Sequence, residues 1–291
     1  MSDRVMSERR QLTNVAYRML GSLADAEDVV QEAYARWYAL SPRERDAIAA
    51  PGAWLTTVAT RTSLNLLGSA RARRERYVGE WLPEPLPGRR GWADGAVADP
   101  ADRITLDESV GMAFLVVLDH MTPAERVAFV LHDVFRYSFA EVGQIIGRTP
   151  AACRQLALSA RRRIRESRRP ATPTGTRARV VRDFKRAWEA KDVKALVGLL
   201  DPGATLVADG GGLVGALRRP VAGAQRVART YLGIARVAPG LTLVERPVNG
   251  QPGLVGQLDG VTVTVFAFQV AGGQITDIWA IRNPQKLRAW A

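Results

Sequence analysis

Tyr137-Ser138-Phe139-Ala140-Glu141-Val142-Gly143-Gln144-Ile145-Ile146-Gly147, then Arg148-Thr149-Pro150, then Ala151-Ala152-Cys153-Arg154-Gln155-Leu156-Ala157-Leu158-Ser159-Ala160-Arg161-Arg162-Arg163-Ile164-Arg165, reads as helix, turn and basic helix. In a helix-turn-helix the N-terminal residues of the second helix face base edges, and flanking basic residues hold phosphate. Thr149, Ala152, Arg154, Gln155 and Ser159 fall on that groove face. Arginine pairs with guanine and glutamine with adenine, each pair contributing roughly 1–3 kcal/mol of discrimination. Arg161, Arg162, Arg163 and Arg165 follow as phosphate contacts. A solvated basic helix closing a bundle is the plainer reading. The preceding helix with Glu141, the three-residue turn and the small Ala151-Ala152 favour DNA.

Outward from this motif, the 291 residues suffice for several domains, and the formal charge of +12 is carried almost wholly by arginine. The only lysines are Lys185, Lys191, Lys194 and Lys286. Arginine suits bidentate contacts to phosphate and guanine, so nucleic acid is the expected partner. Cys153 is the lone cysteine, and His120 and His132 are the two histidines, so neither a disulfide nor a conventional metal site is expected. No cofactor is implied. Without a signal-like or membrane-length apolar run, the chain is expected to be cytoplasmic, with no membrane partner.

Residues 1–76 read as all-helical. Leu12, Val15, Ala16, Met19 and Leu20 form one apolar stripe; Ala26, Val29, Val30, Ala33 and Trp37 form a second, after an expected N-cap at Asp25. A third helix runs from Ala53 through Leu67 into Arg71, Arg73, Arg74 and Arg76. Residues 77–104 form a linker, because the alternate prolines of Trp81-Leu82-Pro83-Glu84-Pro85-Leu86-Pro87 exclude helix interiors and central strands. Its apolar side chains suggest docking on a folded surface.

Residues 105–169 return to helix. Asp107–His120 is one, and Pro123–Phe135 another, with Thr122 as N-cap and Pro123 in the first turn. Residues 170–291 change character. Arg177–Leu200 is helical with a break near Asp192, a short strand spans Ala204–Val207, and Ala224–Val237 is helix. Strand-like runs at Leu241–Arg246, Leu254–Leu258, Val261–Val270 and Gln274–Arg282 are punctuated by Asn249-Gly250, Asp259-Gly260 and Gly272-Gly273. The expected architecture is multidomain: two all-α domains, the second with the helix-turn-helix, then an α+β domain.

Two basic surfaces thus flank the linker. From Tyr77 to Arg103 it spans up to roughly 90 Å when extended. Two DNA boxes about 16 base pairs apart lie roughly 55 Å from each other at about 3.4 Å per step. One chain can reach both. On the second helix, Asp25, Asp28 and Glu32 share a face with Gln31 beside them. Helix-dipole placement accounts for Asp25 and Asp28, while Glu32 points to a basic protein partner.

At these residues the chain resembles the extracytoplasmic-function sigma factors. Ala24-Asp25-Ala26-Glu27-Asp28-Val29-Val30-Gln31-Glu32-Ala33-Tyr34 looks like their polymerase-binding helix, and Pro51-Gly52-Ala53-Trp54-Leu55 through Asn65 like their −10-reading helix. The mid-chain motif is similar to their −35-reading domain. Trp81–Leu86, Asp209-Gly210-Gly211-Gly212 and Asn283-Pro284-Gln285-Lys286-Leu287 resemble the sigma-J-like subgroup, which carries a C-terminal SnoaL-like domain of nuclear-transport-factor-2-like cone shape. Leu213 stands where that subgroup has lysine, Gln285 where aspartate is usual, and Asn65 where aspartate is frequent.

The resemblance implies binding of core RNA polymerase through Asp25, Asp28, Gln31 and Glu32. It implies −10 contact through Arg61, Asn65, Arg71, Arg73 and Arg74, and −35 contact through the groove and phosphate residues above. It also implies regulation in cis, with the linker docked near Asp209–Gly212 or Asn283, Pro284, Lys286 and Leu287. Two other classes remain open. An operator-binding regulator needs only the mid-chain helices and leaves Ala24–Tyr34 unused. A SnoaL-like enzyme fused to a DNA-binding module needs an acid or base inside the cone. The tail has no histidine, its candidate acids are Asp209 and Asp277, and Trp188, Tyr231, Phe266, Phe268 and Trp279 suit core. No catalysis is expected, although the cone offers room for a small ligand.

Overall fold

The computed structural model describes residues 2–74, 77–88, 111–167, 169–170 and 172–290, excluding the side chains of 2–7 and 70–74. Internal contacts gather the described chain into two units. One holds residues up to 74 with 114–167; the other holds 77–88 and 111–113 with the chain from 169 onward.

In the first unit, α1 (Ser2–Leu20), α2 (Leu23–Ala39) and α4 (Pro51–Arg74) pack together. Their contact is the expected stripe: Leu12, Val15, Ala16, Met19 and Leu20 are buried against Ala26, Val29, Val30 and Ala33. Trp37 is partly buried, with its ring centroid 5.4 Å from that of Trp54. The cap of α2 differs from expectation. Ser22 accepts the Asp25 N–H at 3.2 Å, so Asp25 lies inside the first turn. Both residue types cap well, and the chain uses the earlier one. A short α3 (Pro42–Asp46) was not foreseen; Ser41 and Glu44 cap it reciprocally.

The same unit continues with α5 (Met112–Asp119), α6 (Pro123–Phe129), α7 (Phe139–Ile146) and α8 (Pro150–Ser167). The expected start at Asp107 lies outside the described residues. Thr122 caps α6 and Pro123 occupies its first turn as expected. The last turn of that run widens into a π-helical segment, Val130–Val134, where Phe135 N–H donates to Val130 O at 3.1 Å. The two helices of the motif meet tightly at Gly143, where a Cβ would come 2.6 Å from the Arg148 carbonyl oxygen. Only glycine lets the turn close that far. Helix α4 packs on α6 and α7, and α1 on the π segment.

The second unit is α+β, as expected. Helices α9 (Thr174–Glu189), α10 (Val193–Leu199) and α11 (Ala224–Val237) accompany a six-stranded sheet of order β2-β1-β6-β5-β4-β3. The strands are β1 (Leu200–Asp209), β2 (Val221–Ala222), β3 (Thr242–Val248), β4 (Gln251–Leu258), β5 (Val261–Ala271) and β6 (Gln274–Ile281). The strands from β3 to β6 form an antiparallel meander, whereas β1 runs parallel to β6. Each expected hairpin turn has positive φ at both central residues, 51° and 73° at Asn249-Gly250 for example. That matches the right-handed twist of the flanking strands.

Asp192 caps α10 and so marks the break in the long helical run. Leu206, Ala208, Ile278, Ala280, Phe266 and Phe268 face the helices and bury Phe184, Trp188 and Tyr231 beneath them. By strand alternation, Asp209 and Trp279 point to the opposite face.

Candidate polymerase, promoter and linker surfaces

Asp25, Asp28, Gln31 and Glu32 are all exposed on α2, spaced to share one face. Glu32 pairs with Arg36 one turn on, a solvated contact that leaves the face open. Asn65 is exposed on α4. The side chains of Arg71, Arg73 and Arg74 lie outside the described residues.

Arg61 departs from expectation. Its guanidinium donates to Ile145 O at 2.8 Å and to Gln144 O at 2.9 Å, the C-terminal carbonyls of α7. Those carbonyls carry the negative end of the helix dipole, which attracts a cation. Two buried arginines join the same interface. Arg126 of α6 donates to Leu118 O at 2.7 Å, Met19 O at 2.8 Å and the Asp119 carboxylate at 2.8 Å. Arg18 of α1 lies 5.5 Å from the Phe135 ring centroid. The front helices and the helix-turn-helix are therefore clasped, and in this arrangement Arg61 serves the clasp.

On α8, Arg154 and Gln155 are exposed, Arg154 lying 5.3 Å from the Phe139 ring centroid. Thr149 is exposed but caps the helix, accepting the Ala152 N–H at 3.2 Å, and Ala152 is half-buried. Ser159, Arg161 and Arg163 turn away from the reading line. Ser159 donates to Glu125, Arg161 meets Asp133 at 2.7 Å, and Arg163 lies 3.9 Å from Glu125. Burial tends to raise the Glu125 pKa, yet the Ser159 and Thr122 bonds and nearby Arg163 hold it below the ordinary carboxylate value. These three residues fix α8 to α6 and the π segment. The run of arginines had suggested one common role, but the 100° step per residue divides it between faces. Arg162, Arg163 and Arg165 stay exposed.

The linker does dock on the tail. Leu82, Pro83, Glu84, Pro85 and Leu86 are buried, with Trp81 half-buried. At the centre is Asp209, 0% exposed, with four donors on one carboxylate. Oδ1 accepts Tyr77 OH at 2.7 Å and Gly211 N–H at 3.0 Å; Oδ2 accepts Leu82 N–H at 2.9 Å and Lys286 Nζ at 2.7 Å.

Lys286 also donates to Leu82 O and sits 4.1 Å from the Trp81 ring centroid. Asn283 Nδ2 donates to Tyr77 OH at 2.9 Å. Burial, reinforced by the Asp209 bond and charge, pushes the Tyr77 pKa well above its ordinary value, so the hydroxyl remains a donor. Gly211, at φ 63°, has no room for a Cβ beside the Asn283 amide, and Gly212 lies against Val78. Gly210 O accepts the Leu213 N–H at 3.0 Å, closing the turn. Leu287 is buried beside this site and Pro284 is exposed.

A second contact reaches the β3–β4 hairpin. Leu86 N–H donates to Asn249 Oδ1 at 3.0 Å and Asn249 N–H returns to Leu86 O at 2.9 Å. Pro87 pairs antiparallel with Val248, and Trp290 Nε1 donates to Pro85 O at 2.8 Å. Tyr77, Asn249 and Trp290 were not foreseen as part of the site. The subgroup departures fall on exposed side chains, Leu213 and Gln285, and leave the Asp209–Lys286 pair intact.

Residues 5–73 match the family model of sigma-70 region 2, and residues 111–164 that of sigma-70 region 4, the two regions that define a bacterial sigma factor. The chain is 40% identical over 294 residues to the ECF RNA polymerase sigma factor SigJ of Mycobacterium tuberculosis, covering 96% of this chain and 90% of that one. It is 37% identical over 287 residues to the probable ECF sigma factor SigI of the same species, covering 97% and 92%. The crystal structure of M. tuberculosis SigJ matches with a TM-score of 0.77 at 34% identity, covering 99% of both chains. The chain belongs to the extracytoplasmic-function RNA polymerase sigma factors. It is an alternative sigma factor for transcription initiation, with core polymerase and the −10 and −35 promoter elements as its partners, and its tail is SnoaL-like. The operator-regulator reading is not favoured.

Proposed function

We propose that this sigma factor is regulated in cis by its SnoaL-like domain, which grips the linker and favours the clasped, transcriptionally inactive arrangement of the two DNA-binding halves. The observation that carries the reading is Asp209, whose buried carboxylate binds Tyr77 and Leu82 of the linker together with Lys286 of the tail. In the clasp, Arg61 is within hydrogen-bond distance of α7. On promoter DNA the two boxes are roughly 55 Å apart at about 3.4 Å per base pair, so the clasp has to open. Holding residues 77–88 withdraws twelve residues from the linker. That removes up to about 40 Å of the roughly 90 Å reach, leaving too little slack for easy opening. A tethered regulator acts at high effective concentration, so modest contacts suffice.

In the open form, Asp25, Asp28, Gln31 and Glu32 bind core polymerase, Arg61 and Asn65 with Arg71, Arg73 and Arg74 serve the −10 element, and Arg154 and Gln155 read the −35 element. Binding of the unpaired strand drives opening, without covalent chemistry. The tail is regulatory and not catalytic. Among the described residues of the tail, Asp209 is the one fully buried carboxylate, and it serves the linker on the other face. Trp188 Nε1, Tyr231 OH and Thr264 Oγ1 are buried without hydrogen-bond partners, which favours the cone as the place for a small polar ligand. The protein works where the polymerase is, in the cytoplasm.

The test is promoter-dependent transcription by the full chain against Trp81→Ala and Leu82→Ala forms at equal protein levels. Each variant is expected to initiate several-fold more transcript. Unchanged activity in both removes the proposal.

A further inference from the structure

Among the large apolar residues of the described 111–167 segment, Leu158 alone is strongly exposed, at 41%. It sits on α8, past the first two turns, where buried Cys153, Ala157 and Ala160 mark the opposite, packed side. At about 100° per residue, Ala151, Arg154, Gln155, Arg162 and Arg165 all fall within about 60° of the line through Leu158. Leu158 is thus the apolar centre of a basic strip, bracketed by Arg154 and Gln155 on one side and Arg162 on the other. Its neighbour Ser159 is occupied by Glu125, so the strip has no other candidate for base contact at that depth of the helix. A leucine held in water amid arginines has no folding role here, because the packing side of α8 is already filled. The surrounding charge selects nucleic acid as the covering partner. Within the major groove, the apolar feature a leucine can meet is the C5-methyl group of thymine.

We propose that Leu158 is a specificity-determining residue that selects thymine in the −35 element through its C5-methyl group. The proposal rests on the reading of α8 as the −35 helix. Arg154 and Gln155 supply the hydrogen-bonding part of the code, and Leu158 adds a contact that a donor–acceptor pattern alone would miss. Cytosine, which carries only hydrogen at C5 and an N4 amino group where thymine has O4, would offer the leucine no methyl contact.

The test uses duplexes enriched from a randomised −35 region by the full chain on core polymerase. Each enriched thymine is then replaced singly by deoxyuridine, which removes only the methyl group. One replacement is expected to weaken binding about fourfold, the value of one buried methyl. Leu158→Ala should bind thymine and deoxyuridine at that position equally, while Arg154→Ala weakens binding yet keeps the methyl preference. If an element is enriched but no deoxyuridine position matters, or Leu158→Ala keeps the preference, the assignment of Leu158 is overturned. If no −35 element is enriched at all, the reading of α8 falls with it.

Discussion

Replacing Asp209 by alanine is expected to cost the C-terminal unit about 3–5 kcal/mol, the penalty for stranding one partner of a buried ion pair. Lys286 is only 8% exposed and would lose the carboxylate that faces its ammonium at 2.7 Å. The Leu82 amide would lose its acceptor, and Tyr77 would retain Asn283 alone. The linker should then leave the sheet, so the amides of Leu82 and Leu86 exchange with solvent far faster than in the parent. Because the damage lies in a buried ammonium that has lost its carboxylate, adding Lys286→Met to Asp209→Asn should recover part of the loss. Thermal unfolding and amide exchange of these variants decide the matter. A loss under about 1 kcal/mol, typical of an exposed pair, would mean that Asp209 does not hold the linker.

The second large effect is expected at Arg126. Its guanidinium is 2% exposed and ties α6 to the end of α5 and to Met19 of α1. Arg126→Ala should destabilise the front unit by about 3 kcal/mol, since the Leu118 and Met19 carbonyls and the Asp119 carboxylate each lose a charged donor. The clasp should loosen as well, seen as a larger radius of gyration in solution scattering. Arg61→Ala separates the two consequences: Arg61 is exposed, so its loss should open the clasp with little effect on unfolding temperature. If neither variant expands the molecule, the two halves are not held together by these arginines.

The legible part of this molecule was what local chemistry determines. Thr122 caps α6, Asp192 breaks the long helical run, and the paired turn residues after β3, β4 and β5 all stand at positive φ. The apolar prolyl linker announced that it needed a surface. What escaped was pairing between distant residues. Tyr77 meets Asp209 across 132 positions, Leu86 meets Asn249 across 163, and Pro85 meets Trp290 across 205.

Nothing in Asn249-Gly250 distinguishes a turn that only turns from one that also receives the linker. The arginine run of α8 misled for a different reason. Arg161 and Arg163 read as free cations, whereas the π segment and α6 bring Asp133 and Glu125 beside them. The sequence likewise carries no sign that the C-terminal carbonyls of α7 lie beside Arg61. The parallel pairing of β1 with β6 was also invisible, being set by the crossover of intervening helix and strand rather than by strand composition.

Covalent locking of the linker tests the central claim most directly. Pro87 and Val248 face each other in an antiparallel bridge, flanked by the Gly88–Pro247 and Asn249–Leu86 bonds. Such a non-hydrogen-bonded pair has Cα atoms about 4.5 Å apart, within disulfide range. Pro87→Cys with Val248→Cys, in a Cys153→Ala background, can therefore fasten the linker to the tail. With core polymerase and a promoter recovered by the parent chain, the oxidised form should make little promoter-specific transcript and regain it on reduction. Equal initiation by the oxidised and reduced forms would contradict the account, because transcription would then proceed with the linker still in place.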